Sequence, residues 1–64
     1  MLNNFIRKFR EKKGITQQQL ADSCSVSRQT IIAMEKGNYE PSLSLALKLT
    51  KFFSIKVEEL FHLK

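Results

Sequence analysis

The sequence predicts an all-α domain of five short helices, and three observations carry that prediction. Apolar residues recur at helical spacing along nearly all of the 64-residue chain. Three small polar residues suited to helix N-caps, Thr16, Ser27 and Ser42, each stand just before an apolar-periodic run. Alternating apolar–polar runs never exceed a few residues, so strands have little support. The two ends are the exception, because Met1-Leu2-Asn3 and Phe61-His62-Leu63 have the pattern of a short pairing β-ribbon.

The elements follow in order. Leu2, Phe5, Ile6 and Phe9 form the i, i+3, i+4, i+7 stripe of an amphipathic first helix, which Gly14 ends. Thr16 caps a second helix running to about Ser23, and Gln19 three residues on completes a capping box. Ser27 caps a third helix that reaches Lys36, where Gly37-Asn38 supplies a left-handed stop. Pro41 and Ser42 open a fourth, whose Leu43, Leu45, Ala46, Leu49 and Phe53 make one face. Lys56 to Phe61 is a brief fifth helix, weakened by a lysine at its cap. With no linker, repeat or low-complexity segment, residues 1–64 read as one domain.

Eleven Lys and Arg face six Asp and Glu, a net charge of +5, and the excess is uneven. Arg7, Lys8, Arg10, Lys12 and Lys13 are opposed by Glu11 alone, whereas the rest of the chain is nearly balanced. A basic pole on a small domain favours a polyanion, nucleic acid before anionic lipid. The core is near the lower limit for a chain without staples, and the single Cys24 allows no internal disulfide. Apolar surface buried between two copies would add stability, which favours a dimer. No apolar run reaches the length of a membrane span. Arg7, Lys8 and Arg10 also break any signal-peptide pattern, so a cytoplasmic, nucleoid-associated protein is expected. His62 and Cys24 lie far apart and no glycine-rich phosphate loop exists, so neither an enzyme, a metal site nor a cofactor is expected.

The stretch from Thr16 to Ile31 carries most of the chemistry. Its two capping residues, with Leu20, Ala21, Val26 and Ile31 turned inward, leave room for two helices and one tight turn, which is helix-turn-helix geometry. On the third helix Ile31 and Met34 point inward with Val26, while Arg28, Gln29, Ile32, Ala33 and Lys36 fall on the outer face. Arginine pairs with O6 and N7 of guanine, glutamine with N6 and N7 of adenine, and a small apolar group with the thymine methyl. Arg28, Gln29 and Ala33 are therefore suited to base edges and Lys36 to phosphate. Ile32 is a misfit in solvent. It either touches thymine methyls or tucks against the fourth helix, and the second is expected.

Beside Thr16 and Gln17 the free N–H groups of the second helix suit a phosphate, with Gln17 assigned to that contact and Gln18 to solvation. Tyr39 either packs its ring on the core or donates its hydroxyl to a phosphate, and general grounds favour packing. Arg10 and Glu35 sit at the edges of the first and third helices. They are either an ion pair locking the helix angle or two independent surface charges.

The frame Arg10-Glu11-Lys12-Lys13-Gly14-Ile15-Thr16-Gln17, Leu20-Ala21, Val26-Ser27-Arg28-Gln29-Thr30-Ile31, Glu35-Lys36-Gly37 and Pro41-Ser42-Leu43 resembles the Cro and phage-repressor family. It continues through Leu45-Ala46-Leu47-Lys48-Leu49 to Ile55 and Glu59-Leu60-Phe61, nearly the whole chain. The resemblance implies a five-helix lambda-repressor-like DNA-binding domain. It implies a transcriptional regulator, a repressor, that dimerises through its C-terminal part and binds a palindromic operator in double-stranded DNA.

Carried over by position, Thr16 and Gln17 would hold phosphate at the start of the second helix, and Ser27, Arg28 and Gln29 would read the groove. Ala33 would add a base contact, and Lys36, Asn38 and Tyr39 would grip the backbone. Arg10 and Glu35 would be the internal ion pair. Ser25 and Ser54 replace glycines common in the family, at positions that need left-handed backbone. Cys24 occupies an apolar turn position, as a buried unreactive thiol. An antitoxin-type or partner-binding module that also binds DNA is the alternative. A cationic membrane peptide is disfavoured by the caps and turns, and no small-molecule effector is expected.

Overall fold

The structure, a computed structural model, describes residues 2–63. In chain order these form β1 (Leu2–Asn4), α1 (Ile6–Lys13), α2 (Gln17–Cys24), α3 (Arg28–Glu35), α4 (Leu43–Phe53), α5 (Val57–Leu60) and β2 (Phe61–Leu63). Three helices start where a hydroxyl accepts an otherwise free N–H. Thr16 Oγ1 accepts from Gln19 N–H at 3.0 Å while Gln19 Oε1 accepts from Thr16 N–H at 2.8 Å, a complete capping box. Ser27 Oγ accepts from Thr30 N–H and Ser42 Oγ from Leu45 N–H, each at 3.2 Å. Four left-handed residues end or follow helices: Gly14, Gly37, and the non-glycines Ser25 (φ 59°) and Ser54 (φ 57°).

The two ends differ from the sequence expectation. Leu2 keeps the helical period of Phe5, Ile6 and Phe9 but belongs to β1, and the first helix begins at Ile6. Asn4 Oδ1 accepts from Ile6 N–H at 3.0 Å, which starts the helix there. Antiparallel pairing of Leu2 with Leu63, Asn3 with His62 and Asn4 with Phe61 makes the ribbon. Met1, which was expected in it, lies outside the described residues. Phe61 is the first strand residue rather than the last residue of the fifth helix. Lys56 does not cap that helix through its side chain, and Glu59 Oε1 accepts from its N–H at 2.9 Å instead.

Ile6, Leu20, Ile31, Met34, Leu49 and Leu60 are fully buried and tie the five helices into one core, with Phe9, Val26 and Phe53 packed around it. Cys24 belongs to this core at 1 % exposure, and burial pushes its thiol pKa up. Leu43 does not. It is 75 % exposed at the first turn of α4 and shares an outward stripe with Leu47 one turn later, while Leu45, Ala46 and Leu49 face in.

Candidate nucleic-acid interface

The α2–turn–α3 unit is positioned from beneath by its apolar residues. Leu20, Ala21 and Cys24 of α2 and Ile31 and Met34 of α3 are buried. Ser25 makes the turn between the two helices, where its N–H donates to Asp22 O. The opposite face of α3 is open. Arg28 and Gln29 are exposed at its first turn, Ala33 is half-buried, and Lys36 stands exposed at its C-terminal end with Asn38 and Tyr39 just beyond. Tyr39 is 47 % exposed and lies outside the buried cluster, so its ring is not a core ring.

The sequence placed Arg28 on α3 and the phosphate-holding groups on α2, and the fold brings them together. Arg28 lines one shallow depression with Arg10, Gly14, Ile15, Thr16, Gln17 and Gln18. At the mouth of α2 the capping box consumes the N–H groups of Thr16 and Gln19. Those of Gln17 and Gln18 have no protein acceptor among the described residues. Two N–H groups at a positive helix end, on the same depression as a guanidinium, have the chemistry that suits an anion.

Gln17 Nε2 donates to Glu35 Oε1 at 3.1 Å, which engages the side chain inside the fold, while its backbone N–H has no protein acceptor among the described residues. Glu35 is the centre of a polar lock. Arg10 Nε donates to Glu35 Oε2 at 2.6 Å, Arg10 Nη2 to Glu35 Oε1 at 3.2 Å and Arg10 Nη1 to Ile15 O at 3.0 Å. With the two side chains 12 % and 5 % exposed, this is a locked pair and not two surface charges. Donation to Glu35 outweighs burial and raises the Arg10 pKa, so the guanidinium stays charged. One network thus fixes α1, the start of α2 and the end of α3 relative to one another.

Ile32 also departs from expectation. It lines a second depression, between Arg7 and Arg10 of α1, Gln17 of α2 and Lys36, rather than tucking against α4. Asn4 escaped the sequence reading altogether. Its Nδ2 donates to Met34 O at 2.9 Å, at the C-terminal end of α3. An asparagine two residues before a helix was a visible local signal, but its second partner is 30 residues away.

A helix-turn-helix whose second helix turns Arg28 and Gln29 to solvent and ends at Lys36, with a free helix mouth beside it, defines a class of DNA-binding protein. The chain belongs to the helix-turn-helix family HTH_3, of Cro/C1 type, whose model matches residues 6–60, and it is a DNA-binding transcriptional regulator of that family. It is 50 % identical over 60 residues to an uncharacterized HTH-type transcriptional regulator of Methanocaldococcus jannaschii, covering 94 % of this chain and 91 % of that one. It is 33 % identical over 60 residues to the cryptic phage CTXphi transcriptional repressor RstR of Vibrio cholerae, covering 94 % of this chain and 54 % of the repressor. Among solved structures it is similar to the restriction-modification controller protein C.AhdI of Aeromonas hydrophila. There the TM-score is 0.77 at 31 % identity, over 84 % of this chain and 82 % of the controller.

Proposed function

We propose that the protein is a homodimeric repressor that binds a palindromic operator at the nucleoid, in the cytoplasm. The observation that carries this reading is the shared corner of Arg28 and the α2 mouth. A side chain suited to guanine and two N–H groups suited to phosphate face the same space. Arg28 and Gln29 then read the major groove with Ser27 beside them, and Ala33 offers its methyl to thymine. Gln17 holds a phosphate through its backbone, next to Thr16. Lys36, Asn38 and Tyr39 grip the backbone beyond the end of α3.

The dimer surface lies in the C-terminal part. Leu43 and Leu47 of α4 and Val57 of α5 are 75 %, 51 % and 39 % exposed, large apolar residues whose burial would favour a second copy. Two relatives named as repressors, against one named as an activator, support repression. No helix among the described residues is long and apolar enough to cross a membrane.

Sequence selection from random duplex DNA tests the reading. The expected product is a palindrome whose half-site centres lie about 34 Å, one helical turn, apart. Arg28→Ala should lose about 1–3 kcal/mol of operator binding and relax one base pair in each half-site. Selection of a single unrepeated half-site would sink the dimer, and an unchanged base preference in Arg28→Ala would sink the reading face.

A further inference from the structure

We infer that β1 is a strap that holds the C-terminal end of α3 against the DNA backbone, with Asn4 as its positioning residue. The inference rests on the DNA-reading face proposed above but concerns a residue outside it.

Asn4 serves two partners with the two ends of one amide. Its Oδ1 accepts from Ile6 N–H at 3.0 Å and starts α1, while its Nδ2 donates to Met34 O at 2.9 Å. Two residues earlier in the same strand, Leu2 N–H donates to Glu40 Oε2 at 3.2 Å. The strand therefore grips the segment from Met34 to Glu40 at both ends. Between those two attachments lie Lys36, Asn38 and Tyr39, the residues assigned to the phosphate backbone.

That segment needs a hold. α3 is eight residues long, too short to be rigid alone, and its last carbonyls have no helical partners. Gly37 takes a left-handed turn at φ 81°, with its N–H on Met34 O at 3.0 Å and Asn38 N–H on Ala33 O at 2.9 Å. Asn4 adds the second bond to Met34 O and so occupies both lone pairs of that carbonyl. The strap is in turn anchored away from the DNA face. Asn4 pairs with Phe61 across the ribbon, Phe5 N–H donates to Leu60 O at 2.9 Å, and Leu60 and Phe61 are buried.

Neutral variants separate the two ends of the amide. Asn4→Ser keeps an oxygen able to accept from Ile6 N–H but is too short to reach Met34 O, whereas Asn4→Ala loses both. The strap predicts about a tenfold loss of affinity for operator and non-specific DNA alike in Asn4→Ser. The log–log salt dependence should become shallower by about 1, and the selected bases should not change. Asn4→Ala should show the same DNA defect with a lower melting temperature. A merely structural role for Asn4 would lower the melting temperature and leave the salt dependence of the folded protein where it was.

Wild-type affinity and salt dependence in Asn4→Ser would overturn the strap. Hydrogen exchange on the unmodified protein tests the same point without any variant. Gly37 and Asn38 amides should be protected as well as those in the middle of α3, and loop-like exchange there would overturn the strap as well. Arg28→Ala, run alongside, keeps the two claims apart, because its failure to relax base preference indicts the reading face and leaves the Asn4 comparison standing.

Discussion

Over a shared apolar core, α1, α2 and α3 are further joined by directional side-chain bonds, whereas α4 rests on apolar contact and α5 adds only a backbone bond to Phe5. Glu35 gathers Arg10 and Gln17, Arg10 reaches Ile15 O, and Asn4 reaches Met34 O, so α1, α2 and α3 meet through hydrogen bonds of defined geometry. α4 and α5 are held by Leu45, Leu49 and Leu60, and by the aromatic contact of Phe53 with Phe9 of α1 at 5.9 Å. Among the described residues neither of the two ion pairs involves them. Hydrophobic packing is non-directional and tolerates small rotations, whereas a buried hydrogen-bonded pair does not. The half that must match the fixed spacing of DNA phosphates carries the angular constraints. The other half keeps leucines to spare on its surface.

Breaking the polar lock is the most damaging test of that contrast. Glu35→Leu leaves the Arg10 guanidinium largely buried with its main partner gone, at a cost of about 3–5 kcal/mol. A domain of this size has roughly 3–10 kcal/mol in all, so urea or thermal denaturation should find the variant mostly unfolded at 37 °C. A loss below about 1 kcal/mol would mean that packing alone sets the angles.

Leu47→Glu attacks the other half. It should leave the melting curve of the isolated fold nearly unchanged, since the side chain is half exposed, while sedimentation shows a monomer. Operator affinity should fall by roughly a hundredfold through lost avidity. A dimeric Leu47→Glu protein would move the interface elsewhere.

Lys36→Ala should weaken all sequences alike and reduce the salt slope by about 1, and a change of base preference would show it reading bases. The smallest effect compares the two turns directly. Ser25 and Ser54 have nearly the same left-handed φ, one in each half. Glycine at either site should stabilise by about 0.5–1 kcal/mol in chemical denaturation, and a loss at Ser25 alone would reveal that its side chain is used.

What the sequence disclosed was what depends on near neighbours. Thr16, Ser27 and Ser42 cap helices because a hydroxyl and an N–H two or three residues on suffice, and no distant partner enters. The open face of α3 was legible for the same reason, since Arg28, Gln29 and Ile31 are sorted by helical period alone. Leu2 reads as helical because its spacing fits a helix, while its partner in the ribbon, Leu63, is at the far end of the chain. Leu43 reads as a core residue by period, yet the first turn of a helix can carry an apolar residue that no neighbour covers. Gln17 and Ile32 lie where three helices converge, and no local pattern states which partner a long side chain will take.

One consequence follows from where the lock sits. Arg10, Glu35 and Gln17 hold the scaffold, whereas Arg28 and Gln29 are exposed and stand outside the buried cluster. On the proposed reading, substitutions at those two positions would change what is recognised without touching what keeps the domain folded. The domain would then be retargeted to a new operator by rewriting two letters, and a lineage of such proteins would diverge in specificity without loss of foldedness.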